Sequence, residues 1–443
     1  MAPQPDLVES DEKLPEKSSV VVIGGGIIGT CTALELAERG VDVVVCEKGI
    51  IAGEQSSRNW GWCRQMGRDV REIPLMLEAM KQWSGMNERI GAETGFRKCG
   101  ILYLCNSDAD HKRREAWLDT HARPYQLSSR MINGAEVEKL LPGGTFEWKG
   151  ALYTPDDGRA EPQKAGPAIA KAARMNGARI FTQCAVRGVE TSGGRVSGVV
   201  TEKGTISCDA VVLAGGGWSR RFCGNMDVPL KQLWTINSVL RTAPIDAGID
   251  CSAAGNKFGI RKRLDGGYNI AHELYSVVDI VPDSFLQFSD FVPALKSEWR
   301  DLKLRLGQEF FEVSRLKRRW QLDEKSPFEQ VRILDPEPVS WVLDEAVAGL
   351  KKNYPAFGAM VEAERWAGCI DVTPDVVPVI SEVEKVPGFY ISSGYSGHGF
   401  GIGPGAGKLT ADLVTGKSPC VDPEPFRYSR MIDGTKFELM TGS

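Results

Sequence analysis

Histidine is scarce in this chain: His111, His121, His272 and His398 are the whole set. The eleven cysteines include no Cys-x-x-Cys pair and no Cys/His spacing that would hold zinc. An odd number of thiols in a chain of 443 residues also argues against a disulfide scaffold and predicts reduced thiols in a cytosol. Neither sign of charge dominates. A net charge of −4 excludes the basic footprint of a nucleic-acid-binding protein, and Arg315-Leu-Lys-Arg-Arg319 reads as the solvated face of a helix. No apolar run approaches the ~20 residues that cross a bilayer. Residues 1–17 are polar, lack the apolar core of a signal peptide, and read as a disordered lead-in. Internal repeats and low-complexity tracts are missing too. What remains is the profile of a soluble, cytoplasmic globular protein, 42% apolar and 25% charged. It is long enough for two or three units around a large core.

Glycine is present in quantity, with 49 residues, and its first cluster is the most informative stretch. Val20-Val-Val-Ile-Gly-Gly-Gly-Ile-Ile-Gly29 is an apolar run of strand length that feeds Gly24-x-Gly26-x-x-Gly29. An Ala- and Leu-rich helical segment follows to Arg39, with Gly40 as its C-cap, and a second apolar run from Val41 ends in Glu47. In such a βαβ unit Gly24 permits the tight turn, Gly26 lets backbone amides approach a pyrophosphate, and Gly29 lets helix and strand pack closely. The helix N-terminus offers free N–H groups and its positive dipole end. Glu47 stands where an acid accepts bonds from a ribose 2′-hydroxyl. Dinucleotide binding follows; the alternative is an ordinary βαβ unit with a glycine-rich turn.

Helical and strand patterns alternate through the first half, which predicts an α/β architecture. Ile73 to Gly91 has helical periodicity, and Gly100-Ile-Leu-Tyr-Leu-Cys105 reads as a strand. Glu161 to Asn176 is a helix stopped by Gly177, ahead of a strand at 178–183. Val186 to Ala214 reads as three strands, turning at Ser192-Gly-Gly-Arg195 and at Glu202-Lys-Gly204. The third runs into Ala214-Gly-Gly-Gly217, where backbone could again approach a ligand, or where the chain simply turns. Residues 285–330 carry Phe288, Phe291, Leu295, Trp299 and Leu302 at helical spacing and read as a helical insertion, a lid or an oligomer contact. Near the C-terminus, Tyr395-Ser-Gly-His-Gly-Phe-Gly-Ile-Gly403 leads a glycine-rich loop into a helix, repeating the anion-binding device.

With these blocks in place, the chain resembles the FAD-dependent D-amino-acid oxidase (DAO) superfamily, which includes glycine, sarcosine and L-amino-acid oxidases and deaminases. The residues that carry the resemblance are Gly24-x-Gly26-x-x-Gly29 with Glu47, Gly53-Glu-Gln-Ser-Ser-Arg-Asn59, Ala214-Gly-Gly216, and Ser396-Gly-His-Gly-Phe-Gly-Ile-Gly403. Within the superfamily, Gln55-Ser-Ser-Arg-Asn-Trp-Gly-Trp62 and Trp366-Ala-Gly-x-Ile-Asp-x-Thr-Pro-Asp375 look most like L-amino-acid oxidases, dehydrogenases and deaminases. The resemblance implies a Rossmann-like FAD-binding domain built from residues 18–70, 150–225 and 366–425. It implies a second, α+β substrate domain from 71–149 and 226–365 that carries the insertion, and a C-terminal tail at 426–443.

By the same resemblance, Gly24, Gly26 and Gly29 hold the pyrophosphate and Glu47 the adenosine ribose. Gln55, Ser56 and Ser57 approach the pyrophosphate and flavin linker, and Val186 lies near the adenine. Ala214, Gly215 and Gly216 give a second contact. Gly397, His398, Gly399, Phe400, Gly401, Ile402 and Gly403 line the isoalloxazine, where the dipole of the following helix favours an anionic reduced flavin. Ile27, Ile28, Lys48, Arg58, Asn59, Trp60, Gly61 and Trp218 complete the expected cofactor contacts. Two departures matter. Sarcosine oxidases carry a lysine where this chain has Gly401, and a flavin-linking cysteine where it has Gly368, with Cys369 next to it. Non-covalent FAD is therefore expected, and specificity for N-methyl amino acids is not.

Amino-acid oxidation needs a neutral amine, a Cα–H aimed at flavin N5 and a fixed carboxylate. Hydride transfer then gives an imino acid that hydrolyses to a keto acid and ammonia, with O2 reduced to H2O2. A bidentate arginine is the natural clamp. Arg64 follows the flavin-adjacent stretch, and Arg261 shares with Arg263 one face of the strand Phe258-Gly-Ile-Arg-Lys-Arg263, toward the site or toward solvent. Arg261 and Arg64 are the favoured clamps. Trp60, Trp62 and Tyr395 would wall a pocket that keeps the amine neutral, or are core aromatics. His398 would orient the loop or the flavin, and Asp371 and Asp375 would fix turns. Residue chemistry leaves handedness open; resemblance favours L-amino acids. The alternatives are a D-amino-acid, opine or secondary-amine dehydrogenase with a quinone or protein acceptor, and a non-enzymatic dinucleotide-binding module. A homo-oligomer would use the insertion as its interface.

Overall fold

Short runs of β-branched residues build the first sheet. Val20–Ile23 (β1), the helix Ile27–Glu38 (α1) and Val43–Cys46 (β2) form a parallel βαβ unit in the computed structural model, which describes residues 3–439. Every residue of both strands is buried, because helices cover one face of the sheet and the antiparallel strands of residues 186–207 pack on the other. Six strands lie in the order Val379–Glu382, Phe389–Ser393, Ala210–Leu213, β1, β2 and Arg179–Phe181. Only Val379–Glu382 runs antiparallel to its neighbour. Gly24 has φ +109°, and a β-carbon there would stand 2.3 Å from the Ala214 carbonyl oxygen; one on Gly29 would stand 1.9 Å from the oxygen of Gly24. Close approach of strand, turn and helix therefore demands glycine at both positions.

The second sheet is mixed and has ten strands. Its long strand Leu233–Thr242 pairs with Glu362–Val372 on one side and with Tyr268–Ala271 on the other. The order continues through Phe258–Lys262, Ser252–Gly255, Ile101–Cys105 and Gly150–Thr154 to Arg130–Ile132. The helix Ser340–Asn353 buries Leu343, Ala346 and Leu350 in the core that holds Tyr268 and Ile270 of this sheet. The α/β class with a Rossmann-like first unit is as expected.

The division of the chain differs from expectation. The helix Ile73–Ile90 packs Leu75, Met76, Trp83 and Met86 into the core of the first sheet, so it belongs with that unit and not with residues 92–149. Gly150–Thr154 lies instead in the second sheet, between Ile101–Cys105 and Arg130–Ile132. Glu362–Val372 also lies there, which moves the return to the first unit past residue 366. The three-stranded meander is Val186–Ser192, Arg195–Thr201 and Gly204–Ser207; Ala210–Leu213 is a fourth strand that leaves it for the main sheet. The insertion holds the helices Pro282–Leu286, Phe288–Glu298 and Gln308–Arg315 but is not wholly helical. Leu302–Arg305 pairs in parallel with Ser276–Asp279 at the edge of the second sheet, taking Leu302 out of helical register.

The lead-in is ordered over its described residues. The Asp6 N–H donates to the Gln163 carbonyl at 2.9 Å and the Asp11 N–H to that of Ile180 at 2.7 Å, Val8 is buried, and Asp11 pairs with Arg174 at 2.8 Å. A polar composition hid backbone pairing that any sequence can make. Residues 1 and 2 lie outside the described residues, as do 440–443 of the expected tail. The rest of that tail is tied down by buried Phe426, Tyr428 and Met431 and by Arg430, which meets Asp375 at 3.1 Å. Among the described residues no helix is long and apolar enough to cross a membrane.

Candidate active site

A cavity of about 1000 Å³ is lined from both units, at the upper end of the range for ligand clefts. Much of its wall comes from the C-terminal edge of the first sheet, where ligands bind in open α/β folds. Gly24, Gly26, Ile27 and Ile28 follow β1, Glu47 and Lys48 follow β2, and Ala214, Gly215 and Gly216 follow Ala210–Leu213; Val186 and Trp218 join them.

The donors and hollows here fit a dinucleotide. Glu47 accepts from the Gly25 N–H at 2.7 Å and from the Gly49 N–H at 2.6 Å, which orients the carboxylate and leaves lone pairs for a diol. A β-carbon on Gly216 would fill space 2.7 Å from Gln55 Oε1. Gln55 Nε2 donates to Asp371 at 3.0 Å; Asp371 also accepts from Gln232 at 3.0 Å and from the Gly394 N–H at 2.8 Å. Asp371 thus joins both units, beyond fixing a turn. Arg58 is 3% exposed; its Nη1 bonds Asp335 and the Ala367 carbonyl, while Nε and Nη2 have no partner among the described residues. Asn59 braces the loop, accepting from the Gly61 N–H at 2.8 Å and donating to the Ser56 carbonyl at 3.0 Å. Lys48 bonds Glu54 at 2.6 Å and the Val331 and Arg332 carbonyls at 3.0 and 2.9 Å.

Several expected contacts are elsewhere. Ser57 is fully buried and donates to the Glu54 carbonyl at 3.2 Å, away from the cavity wall. Ser56 does line the cavity, but its Oγ accepts from the Ile27 N–H at 2.8 Å and so caps α1. Gly29 serves helix packing alone. The cavity-facing run after Gly397, His398 and Gly399 stops at Phe400. Gly401, Ile402 and Gly403 face inward from the helix Gly399–Val414. A β-carbon on Gly401 would lie 3.0 Å from the Trp62 carbonyl oxygen and one on Gly403 would lie 2.9 Å from Ile27, while Ile402 is in the core. The absence of lysine at position 401 thus has a local cause: the Trp62–Arg64 backbone occupies that space.

Arg261 is excluded as a clamp. It is 1% exposed, lies outside the cavity wall, and grips Glu161 through Nη1 at 2.8 Å and Nη2 at 3.2 Å. Arg263 bonds Asn269 at 3.1 Å and Asp265 at 3.1 Å. Arg64 does line the cavity. Trp60 and Trp62 wall it, meeting edge to face at 5.0 Å, and Tyr103 lies 6.3 Å from Trp62. Tyr395 contributes to the wall, but its hydroxyl is tied to Ser392 at 2.8 Å, and burial pushes it further from ionisation.

His398 Nδ1 lies 2.9 Å from Glu72 Oε2. Burial, helped by the Arg68 guanidinium, pushes the imidazole down to about 4, so it is neutral at pH 7. Despite its burial, Glu72 is held below the usual carboxylate range by His398 and Arg68. An ionised carboxylate only accepts, so Nδ1 carries the proton and Nε2 keeps its lone pair. Arg68 donates from Nε to the Arg64 carbonyl at 3.1 Å, and burial pushes it down to about 10. Arg68 and Glu72 escaped sequence reasoning, although the spacing Arg64-x-x-x-Arg68-x-x-x-Glu72 after the flavin-adjacent stretch was a usable signal. Tyr103, Arg114 and Glu273 also line the cavity and escaped it; no local pattern marks them.

A family model described as FAD dependent oxidoreductase (DAO) matches residues 19–413. The chain belongs to this family. Membership implies FAD. Among solved structures, the chain is similar to the L-amino acid deaminase from Proteus myxofaciens, solved in complex with anthranilate. The two are 38% identical with a TM-score of 0.93, and the match covers 96% of each chain. The L-amino acid deaminase from Proteus vulgaris is 35% identical with a TM-score of 0.92, over 96% of this chain and 100% of that one. A curated relative, the formaldehyde-forming 4-methylaminobutanoate oxidase of Paenarthrobacter nicotinovorans, is 24% identical over 428 residues, 93% of this chain; the chain spans 45% of that relative's length.

Proposed function

We propose that this FAD-dependent oxidoreductase oxidises L-α-amino acids to imino acids, which water converts to keto acids and ammonia, with dioxygen as the electron acceptor. What carries this reading is the likeness to an L-amino acid deaminase over 96% of both chains. Bound FAD would supply the hydride acceptor for the substrate Cα–H. The chain's own residues bind and orient. Arg64 donates from Nη1 to the Gly67 carbonyl at 3.3 Å and to that of Met66, which fixes the guanidinium and leaves Nη2 for a substrate carboxylate. Trp60 and Trp62 form an apolar wall that favours the uncharged amine. The Nε2 lone pair of neutral His398 accepts an N–H from that amine, and Glu72 keeps the ring in the tautomer that allows it. A non-covalent flavin is supported by Gly368 and by Cys369, whose thiol burial pushes far above its ordinary range.

The test is anaerobic bleaching of the purified protein's flavin band by separate panels of L- and D-amino acids, followed by air. Bleaching by L-amino acids and return of colour with peroxide is the expected result. Bleaching by D-amino acids or secondary amines alone overturns the substrate class, and colour that stays away in air overturns the acceptor.

A further inference from the structure

The helix Asp108–Trp117 is rich in charge, yet it buries one cation. Arg114 is 8% exposed, lines the same cavity as Arg64, and lies over the Tyr103 ring at 4.5 Å. Among the described residues its Nε is buried without a hydrogen-bond partner and no carboxylate comes within ion-pair distance of its guanidinium. Its neighbour Arg113 is neutralised by Asp110 at 3.2 Å. Glu273, in the same wall, faces Arg114 without reaching it; it accepts from the Lys257 N–H at 3.3 Å. Arg64 lies over the same Tyr103 ring at 5.6 Å. Burying an unpaired guanidinium is costly, and here the open side of the charge is the cavity.

We propose that Arg114 is an outer anion subsite, and that the substrates are acidic amino acids whose α-carboxylate meets Arg64 and whose side-chain carboxylate meets Arg114. The inference rests on the amino-acid oxidation proposed above. With their carbons 5.6 and 4.5 Å from the centroid of one ring, the two guanidiniums are near enough for one dicarboxylate with a short aliphatic spacer, as in aspartate or glutamate, to meet both. The competing chemistry is a carboxamide side chain, which would bridge Arg114 and Glu273.

The test uses the FAD-loaded protein, with L-glutamate, L-aspartate, L-glutamine and L-leucine as substrates and glutarate and butyrate as dead-end ligands read by perturbation of the flavin spectrum. Wild type should prefer L-glutamate or L-aspartate over L-leucine in kcat/KM and bind glutarate more tightly than butyrate. In Arg114→Met both preferences should shrink about 10–100-fold, the loss of one charge-assisted pair, while Arg114→Lys keeps part of them. Preference for L-glutamine over L-glutamate, equal loss for every amino acid in Arg114→Met, or no glutarate preference in wild type would each overturn the subsite. Glutarate preference without oxidation of any amino acid would overturn the proposed reaction and leave the subsite standing.

Discussion

Asp157 is a buried carboxylate with no ion-pair partner among the described residues, and it holds the loop that carries Arg64. It is fully buried, accepts from the Gln65 N–H at 2.6 Å and from the Met66 N–H at 3.2 Å, and meets the Gln65 side chain at 3.4 Å. Burial outweighs these bonds and pushes the carboxyl up from the ordinary 3.8 to about 7. Between roughly pH 4 and 7 the folded protein therefore keeps a proton that the unfolded chain has released. The unfolded state binds fewer protons in that window, so stability falls as pH rises. A rise from 3.8 to about 7 corresponds to about 4 kcal/mol at 1.36 kcal/mol per pH unit, a large share of the 5–15 kcal/mol typical of a folded domain. Asp157→Asn cannot titrate. Its Oδ1 can still accept from Gln65, while the Met66 N–H loses its acceptor at about 1–3 kcal/mol. The variant should thus be the less stable protein near pH 4 and gain on wild type by about 4 kcal/mol on the way to pH 7. The assay is urea unfolding followed by tryptophan fluorescence at several pH values, with FAD in constant excess. Parallel pH profiles for the two proteins would refute the assignment of the proton to Asp157.

Two further substitutions test the site. Gly29→Ala places a β-carbon 1.9 Å from the Gly24 oxygen, which must part α1 from the turn; FAD affinity should fall on the order of 10–100-fold, and a fluorescence titration giving wild-type affinity would detach this turn from the cofactor. Arg261→Met leaves Glu161 buried and uncompensated, so stability should drop by about 3–5 kcal/mol with little change in KM for amino acids. A selective rise in KM at normal stability would restore Arg261 as a clamp.

The glycine-turn wall of the cavity was legible because its constraints are local. Gly24, Gly26 and Glu47 belong to one βαβ unit, and all three fall within a stretch of 24 residues. Another part of the cavity is assembled from Arg64, Tyr103, Arg114, Glu273 and His398, which no period or spacing connects. The same limit hid the placement of Ile73–Ile90, since its periodicity says that one face is buried but not against which core. It also explains one arginine that was misplaced and one that was missed. Arg261 sits on a buried strand and looked poised for substrate, but Glu161, 100 residues away, claims both ends of its guanidinium. Arg114 drew no notice in the sequence; it sits on a helix with acidic residues in its first turn, yet none of those carboxylates reaches it. Residue type and local pattern locate a charge along the chain. Whether that charge is free to meet a ligand depends on which carboxylate the fold brings to it, and that is decided only when distant segments pack.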